Sequence, residues 1–259
     1  MKKKQLSIDV PNKKDYQNHN EFGHYFAGLI DGDGHFSTIG HCVVAFHILD
    51  KQHAYWVKKR IGYGAVRKVP GKQAVILSIS HPDGLRKVGS LIHDKLKHPT
   101  RILQYNQRVV IKYQCKDGPT SSDSIINWQS PWFAGFFDAD GSFRIRFVDR
   151  PRRLTTEVRL HMRIDQKSDV LLQQFNIHFG GYLGYRAMQN TYTYSSTSFG
   201  QFWAGLRYFD EYSPKSSRTI LKYLIMRKAY LLVQRDLHLT LTGLASLREL
   251  HKSLSSLNS

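Results

Sequence analysis

Phe26-Ala27-Gly28-Leu29-Ile30-Asp31-Gly32-Asp33-Gly34 occurs in this chain in two versions. The second reads Phe133-Ala134-Gly135-Phe136-Phe137-Asp138-Ala139-Asp140-Gly141. Both run Phe-Ala-Gly, two apolar residues, Asp, a small residue and Asp-Gly, at an offset of 107 positions from Asp33 to Asp140. One Asp-Gly pair is an ordinary turn signal. The same context twice is a repeat, and a repeat decides the fold before any single element does.

Outward from each copy the pattern continues in parallel. After Gly34 come alternating stretches at His35–Ile39 and Val43–Ile48, a helical run Gln52–Ile61 closed by Gly62, and strand patterns at Ala65–Val69 and Ala74–Ile79. After Gly141 come Ser142–Val148, Glu157–Ile164, a helix from about Ser168, then Tyr182–Arg186 and Thr191–Ser195. Each unit reads helix, hairpin, helix, hairpin, helix. This predicts an α+β chain with an N-terminal extension at 1–19, a first unit at 20–113, a polar linker at 114–127 and a second unit at 128–259.

The ends of the first helix in each unit carry the chemistry. Ser130 and Pro131 suit the start of one, Asn20 and Glu21 the start of the other, and Gly34 and Gly141 suit a left-handed residue at the close. Asp33 and Asp140 then sit at helix C-termini, the end whose partial negative charge disfavours carboxylates. Ala27-Gly28 and Ala134-Gly135 allow two helix backbones to approach closely. If the two copies pack on each other about a pseudo-twofold axis, the acids meet, and paired carboxylates suit divalent cations.

Two strands of the second unit show their faces plainly. Phe143, Ile145 and Phe147 alternate with Ser142, Arg144 and Arg146, while Val158, Leu160, Met162 and Ile164 alternate with Glu157, Arg159, His161 and Arg163. One face is core. The other carries four arginines against one glutamate, which favours contact with DNA over plain exposure. Ser37, His47, Arg67, Lys68 and Gln73 are the softer counterparts in the first unit, and Arg186, Tyr192 and Tyr194 add candidate contacts in the second.

Composition agrees. The 259 residues are 41% hydrophobic, and 38 Lys and Arg stand against 20 Asp and Glu, a net charge of +18. That excess points to a nucleic-acid partner, and the lack of an 18-residue apolar run speaks against a membrane one. Cys42 and Cys115 form no disulfide framework or zinc pattern. The basic start has no signal-peptide core, and its aspartates suit no transit peptide. A protein made inside an organelle, a mitochondrion ahead of a chloroplast, is expected.

Over residues 20–250 the two motifs and the elements after them resemble the LAGLIDADG homing endonucleases in their single-chain, two-motif form. The resemblance implies two pseudosymmetric αββαββα units, each an antiparallel sheet with helices on one face, the sheets forming a DNA-binding saddle. It implies a monomer that makes a staggered double-strand break in a long DNA duplex. Asp33 and Asp140 would hold magnesium, aided by the carbonyls of Gly32 and Ala139. Manganese would substitute, and calcium would bind without supporting cleavage. By the same resemblance, Asp50 and Gln166 would be the polar active-site residues, and Arg101 with Lys215 or Arg218 the basic ones. Asp31 and Asp138 read as structural members of the motif. The rival functions are an intron RNA maturase and a DNA-binding protein of the same fold that does not cut.

Overall fold

The computed structural model describes residues 5–11, 15–120, 124–149 and 156–257. Positions 1–4 and 12–14 of the expected extension, 121–123 of the expected linker, and 150–155 and 258–259 of the expected second unit lie outside them. The chain divides into two compact bodies. One holds residues 15–140 and 214–217, the other 1–14, 141–213 and 218–259. The boundary falls at Asp140, so the second motif helix groups with the first sheet.

In the first body, α1 (His19–Asp33) leads into β1 (Gly34–Phe36), β2 (Cys42–His47), α2 (Lys51–Ile61), β3 (Ala65–Lys68), β4 (Ala74–Ile79) and α3 (Pro82–Ile92). A longer helical stretch follows as α4 (Pro99–Tyr105), a π-helical turn at 106–110 and α5 (Ile111–Tyr113), and the second motif forms α6 (Trp132–Asp140). The antiparallel sheet is ordered β1-β2-β4-β3. Alternation places Cys42, Val44 and Phe46 of β2 and Val75, Leu77 and Ile79 of β4 on one buried face, with Ala54, Val57 and Ile61 of α2 and Leu85 and Val88 of α3 also buried. Each such aliphatic side chain contributes roughly 1.5–3 kcal/mol by leaving water.

The second body repeats this plan with β5 (Gly141–Val148), β6 (Glu157–Gln166), α7 (Val170–Phe179), β7 (Tyr182–Arg186), β8 (Thr191–Ser195) and α8 (Phe199–Glu211), then α9 (Ser217–Gln234) and α10 (Leu241–Ser256). Its strand order, β5-β6-β8-β7, is the first sheet's order again. Phe143, Ile145, Leu160, Met162 and Ile164 face inward, and the Phe143 ring meets Phe202 and Phe209 of α8 at 6.2 and 6.0 Å. Part of the expected N-terminal extension is fastened here: Arg227, buried on α9, donates to the carbonyls of Ser7 and Asp9 at 2.9 and 2.7 Å. Among the described residues no helix is long and apolar enough to cross a membrane.

Two helix ends differ from the sequence expectation. The N-cap of α1 is Asn18, whose side chain accepts from the Glu21 amide at 2.9 Å, in place of Asn20. Gly34 is extended, at φ −95°, because the chain passes straight from α1 into β1. A Cβ there would come within 2.6 Å of the Ile30 Cα, so space and not a left-handed turn calls for glycine. Gly141 likewise opens β5 as a strand residue. The left-handed close does occur at Gly62, φ +82°, after α2.

Candidate active site and nucleic-acid face

The two motif helices, α1 and α6, pack on each other within the first body, and their contacts are reciprocal. A Cβ on Gly28 would stand 1.9 Å from the Trp132 carbonyl oxygen, and one on Gly135 would stand 1.9 Å from the Tyr25 carbonyl oxygen. Gly28 and Gly135 correspond under the 107-residue offset, as do Tyr25 and Trp132. Gly32 faces its own counterpart: a Cβ there would lie 2.4 Å from the Ala139 methyl and 3.0 Å from Asp140 Oδ2. The helices therefore cross about a local twofold that passes the Gly32–Ala139 contact. Glycine is needed because the backbones themselves touch.

That crossing sets the Asp140 carboxylate beside Gly32 and brings Asp33 and Asp140, the last residues of α1 and α6, near enough for one charge to act on the other. Asp33 is open to solvent on one side. The protein mass behind it and the Asp140 charge raise its pKa from 3.8 to about 7, with Arg101 pulling the other way. Arg101 lies within the field of Asp31, Asp33 and Asp140, and burial lowers its own pKa. Its Nε is buried with no hydrogen-bond partner.

A divalent cation fits these residues: a like-charge pair at helix C-termini is an arrangement a cation relieves. Among the described residues, no three His, Cys, Asp or Glu side chains cluster as a metal site. The remaining ligands would be backbone carbonyls, water and phosphate.

The first acid of each motif does different work. Asp31, 1% exposed, accepts from the Lys97 amide at 2.7 Å and from Trp132 Nε1 at 2.9 Å. Burial nonetheless raises its pKa to about 7. Asp138 accepts from the amides of Lys215 and Ser216 at 2.6 and 3.2 Å and from the Tyr25 hydroxyl at 2.6 Å. Each acid thus fixes the backbone that carries a lysine: Lys97 ahead of α4, and Lys215 ahead of α9. The sequence reading missed Lys97. The signal available was its place before Arg101, which mirrors Lys215 before Arg218.

The other expected active-site residues are placed unequally. Asp50 accepts from Ser216 Oγ at 2.6 Å, which ties it to the Lys215 segment. The Lys215 ammonium lies 4.1 Å from the Tyr16 ring centroid. Arg218 belongs to the second body and donates to the Leu257 carbonyl at 2.7 Å, so its guanidinium is partly spent on the end of α10. Gln166 ends β6 opposite Tyr192 in the second body.

On the second sheet the polar face lies where alternation put it. Arg144 and Arg146 are exposed, and a concavity there is bordered by Arg144, Arg146, His161, Arg163, Arg186 and Thr193. Acids two residues along the same strand temper it: Arg159 pairs with Glu157 at 2.8 Å and Arg163 with Asp165 at 2.9 Å, with Arg186 3.7 Å from Asp165. His161 Nδ1 donates to the Ser196 carbonyl at 2.6 Å, which leaves Nε2 as an acceptor; burial first, and then the charge of the surrounding arginines, lowers the ring's pKa.

Tyr194 does not join this face. It is fully buried and its hydroxyl donates to the Gly180 carbonyl at 2.9 Å, because the ring packs on Phe175 of α7. Tyr192 remains half-buried, its ring 4.9 Å from that of Tyr185. On the first sheet Arg67, Lys68 and Gln73 are exposed around the β3–β4 hairpin. Ser37 Oγ accepts from the His41 amide, and His47 Nδ1 from the Leu49 amide.

Fold and site together define a class: a chain of two like α+β units whose duplicated motif helices cross and bring their terminal acids together. Residues 133–230 match the family model described as LAGLIDADG endonuclease. A 37.2 kDa cox1 intron-2 protein of Schizosaccharomyces pombe is 41% identical over 98% of this chain and 79% of its own length. The intron-encoded RNA maturase bI4 of Saccharomyces cerevisiae is 23% identical over 74% of this chain but only 30% of its own length. Among solved structures, the LAGLIDADG meganuclease I-AabMI bound to uncleaved DNA superposes with a TM-score of 0.71 at 20% identity, over 89% of this chain and 98% of that one. I-SmaMI bound to uncleaved target DNA with calcium ions gives 0.66 at 20% identity, over 90% and 98%. This chain belongs to the LAGLIDADG endonuclease family.

Proposed function

We propose that this chain is a site-specific, intron-encoded DNA endonuclease, working as a monomer that makes a staggered double-strand break. The observation that carries the reading is the meeting of Asp33 and Asp140 where α1 and α6 cross, with Arg101 beside them. Asp33, Asp140 and the carbonyls of Gly32 and Ala139 would hold magnesium or manganese. When bound, the cation supplies Lewis-acid polarisation of the scissile phosphate and an activated water.

The protein's own groups do the rest. Asp33 and Asp140 stay ionised once a cation offsets their mutual repulsion. Arg101, whose charge acts on Asp33 and Asp140, is suited to the charge that builds on a phosphate oxygen. Lys215 and Lys97 place a second positive charge ahead of α9 and α4. Arg144, Arg146, Arg159, Arg163 and Arg186 contact DNA from the second sheet, and Arg67, Lys68 and Gln73 from the first, through phosphate and base edges. The cox1 intron origin of the 41%-identical relative supports an organellar, mitochondrial source.

The maturase relative favours a second reading, in which the same basic faces hold intron RNA. One experiment separates the two: duplexes recovered from a randomised library by binding are offered with magnesium and then with calcium. Linear product with magnesium, and binding without product in calcium, supports the nuclease. Binding to duplex in both without a cut removes it.

A further inference from the structure

Tyr25 and Trp132 occupy the same place in the two motif copies, immediately before Phe-Ala-Gly, and each reaches across to the first acid of the opposite copy. Tyr25 donates to Asp138 Oδ2 at 2.6 Å and Trp132 to Asp31 Oδ2 at 2.9 Å. The same two oxygens receive the amides that precede the long helices, Lys215 and Ser216 on Asp138, Lys97 on Asp31. Both aromatic rings are buried.

We propose that Tyr25 and Trp132 are positioning residues, each setting the basic segment of one active site from the opposite motif helix: Tyr25 for Lys215, and Trp132 for Lys97. The catalytic consequence rests on the nuclease reading above, while the wiring itself does not. A tyrosine hydroxyl has one proton, and here Asp138 takes it. The His53 Nε2, 2.7 Å from the same hydroxyl, is therefore the donor, and His53 anchors the hydroxyl from behind. A carboxylate oxygen that gathers three donors holds them in a narrow geometry, and loss of one loosens the others. Because the donor comes from the other helix, neither lysine segment is set until α1 and α6 have packed. Cutting competence is thereby tied to assembly of the seam.

The test uses Tyr25→Phe, which removes only the hydroxyl, alongside Trp132→Phe in the full chain. By hydrogen exchange, Tyr25→Phe speeds exchange of the Lys215 and Ser216 amides by about 10-fold and leaves the Lys97 amide within about 2-fold, and Trp132→Phe does the reverse. On a duplex recovered by selection for cleavage, the two variants slow opposite strands by roughly 10-fold, so that nicked products of opposite polarity accumulate. Tyr25→Trp, which restores a donor, returns the slowed strand toward its original rate. Equal exchange at both amides in Tyr25→Phe, or equal slowing of both strands, overturns the proposal. Should Trp132→Phe fail to fold, the same two readouts on Tyr25→Phe alone support or overturn it. If the unaltered chain cuts no duplex in the selection while the exchange pattern holds, the nuclease reading fails and the wiring stands.

Discussion

Asp33 ends α1 with its carboxylate reaching solvent, and burial with the Asp140 charge raises its pKa to about 7. Its ordinary value is 3.8, so between roughly pH 4 and 7 the folded chain binds this proton more tightly than the unfolded chain does. Stability from this group is present below that window and is lost as pH rises through it. A cation competes with the same proton, so its binding strengthens with pH. Magnesium should therefore raise the thermal unfolding midpoint by about twice as much at pH 8 as at pH 6, measured by calorimetry at equal ionic strength. An equal or larger shift at pH 6 would place the cation elsewhere.

At the scale of elements, the close crossing of α1 and α6 gives the site its geometry. Gly28→Ala and Gly135→Ala each push a methyl to within 1.9 Å of a backbone oxygen of the facing helix. Overpacking of this kind costs about 1–3 kcal/mol or more, so each variant should unfold roughly 5–10 °C lower. Gly200→Ala is the control: it lies in α8 with nothing within 4 Å of its Cβ, and gains up to about 1 kcal/mol of helix propensity. A midpoint for Gly28→Ala as high as that of Gly200→Ala would contradict the close approach.

Elements were also what the sequence showed best. Strand-like runs of β-branched and aromatic residues located β4, β7 and β8 at their observed bounds, and β4 also alternates in burial. Some missed features are set by tertiary neighbours. Tyr194 answers to a ring of α7 and a distant carbonyl and Lys97 to an acid 66 residues away, while Gly34 was missed for a local reason, the crowding of Ile30 one turn back. The pairing of Arg159 and Arg163 with Glu157 and Asp165 was not read from the sequence, although the i,i+2 spacing on one strand face carries it.

For the whole molecule, a net charge of +18 sets how binding responds to salt. Six to ten lysine or arginine contacts to phosphate would lower duplex affinity by about 10³–10⁵ between 50 and 200 mM salt, linearly on a log–log plot of titrations. A flat plot would remove the basic sheet faces from the account.

On the proposed reading, one acid from each copy of the motif, joined where the helices cross, would hold the divalent cation on which cutting depends. The most direct test of this is strand cleavage by Asp33→Asn and Asp140→Asn on a selected duplex with magnesium, with affinity measured in parallel. Double-strand cleavage should fall by at least about 100-fold in each variant while affinity stays within about 3-fold. Cleavage at the unaltered rate by either variant would contradict the account.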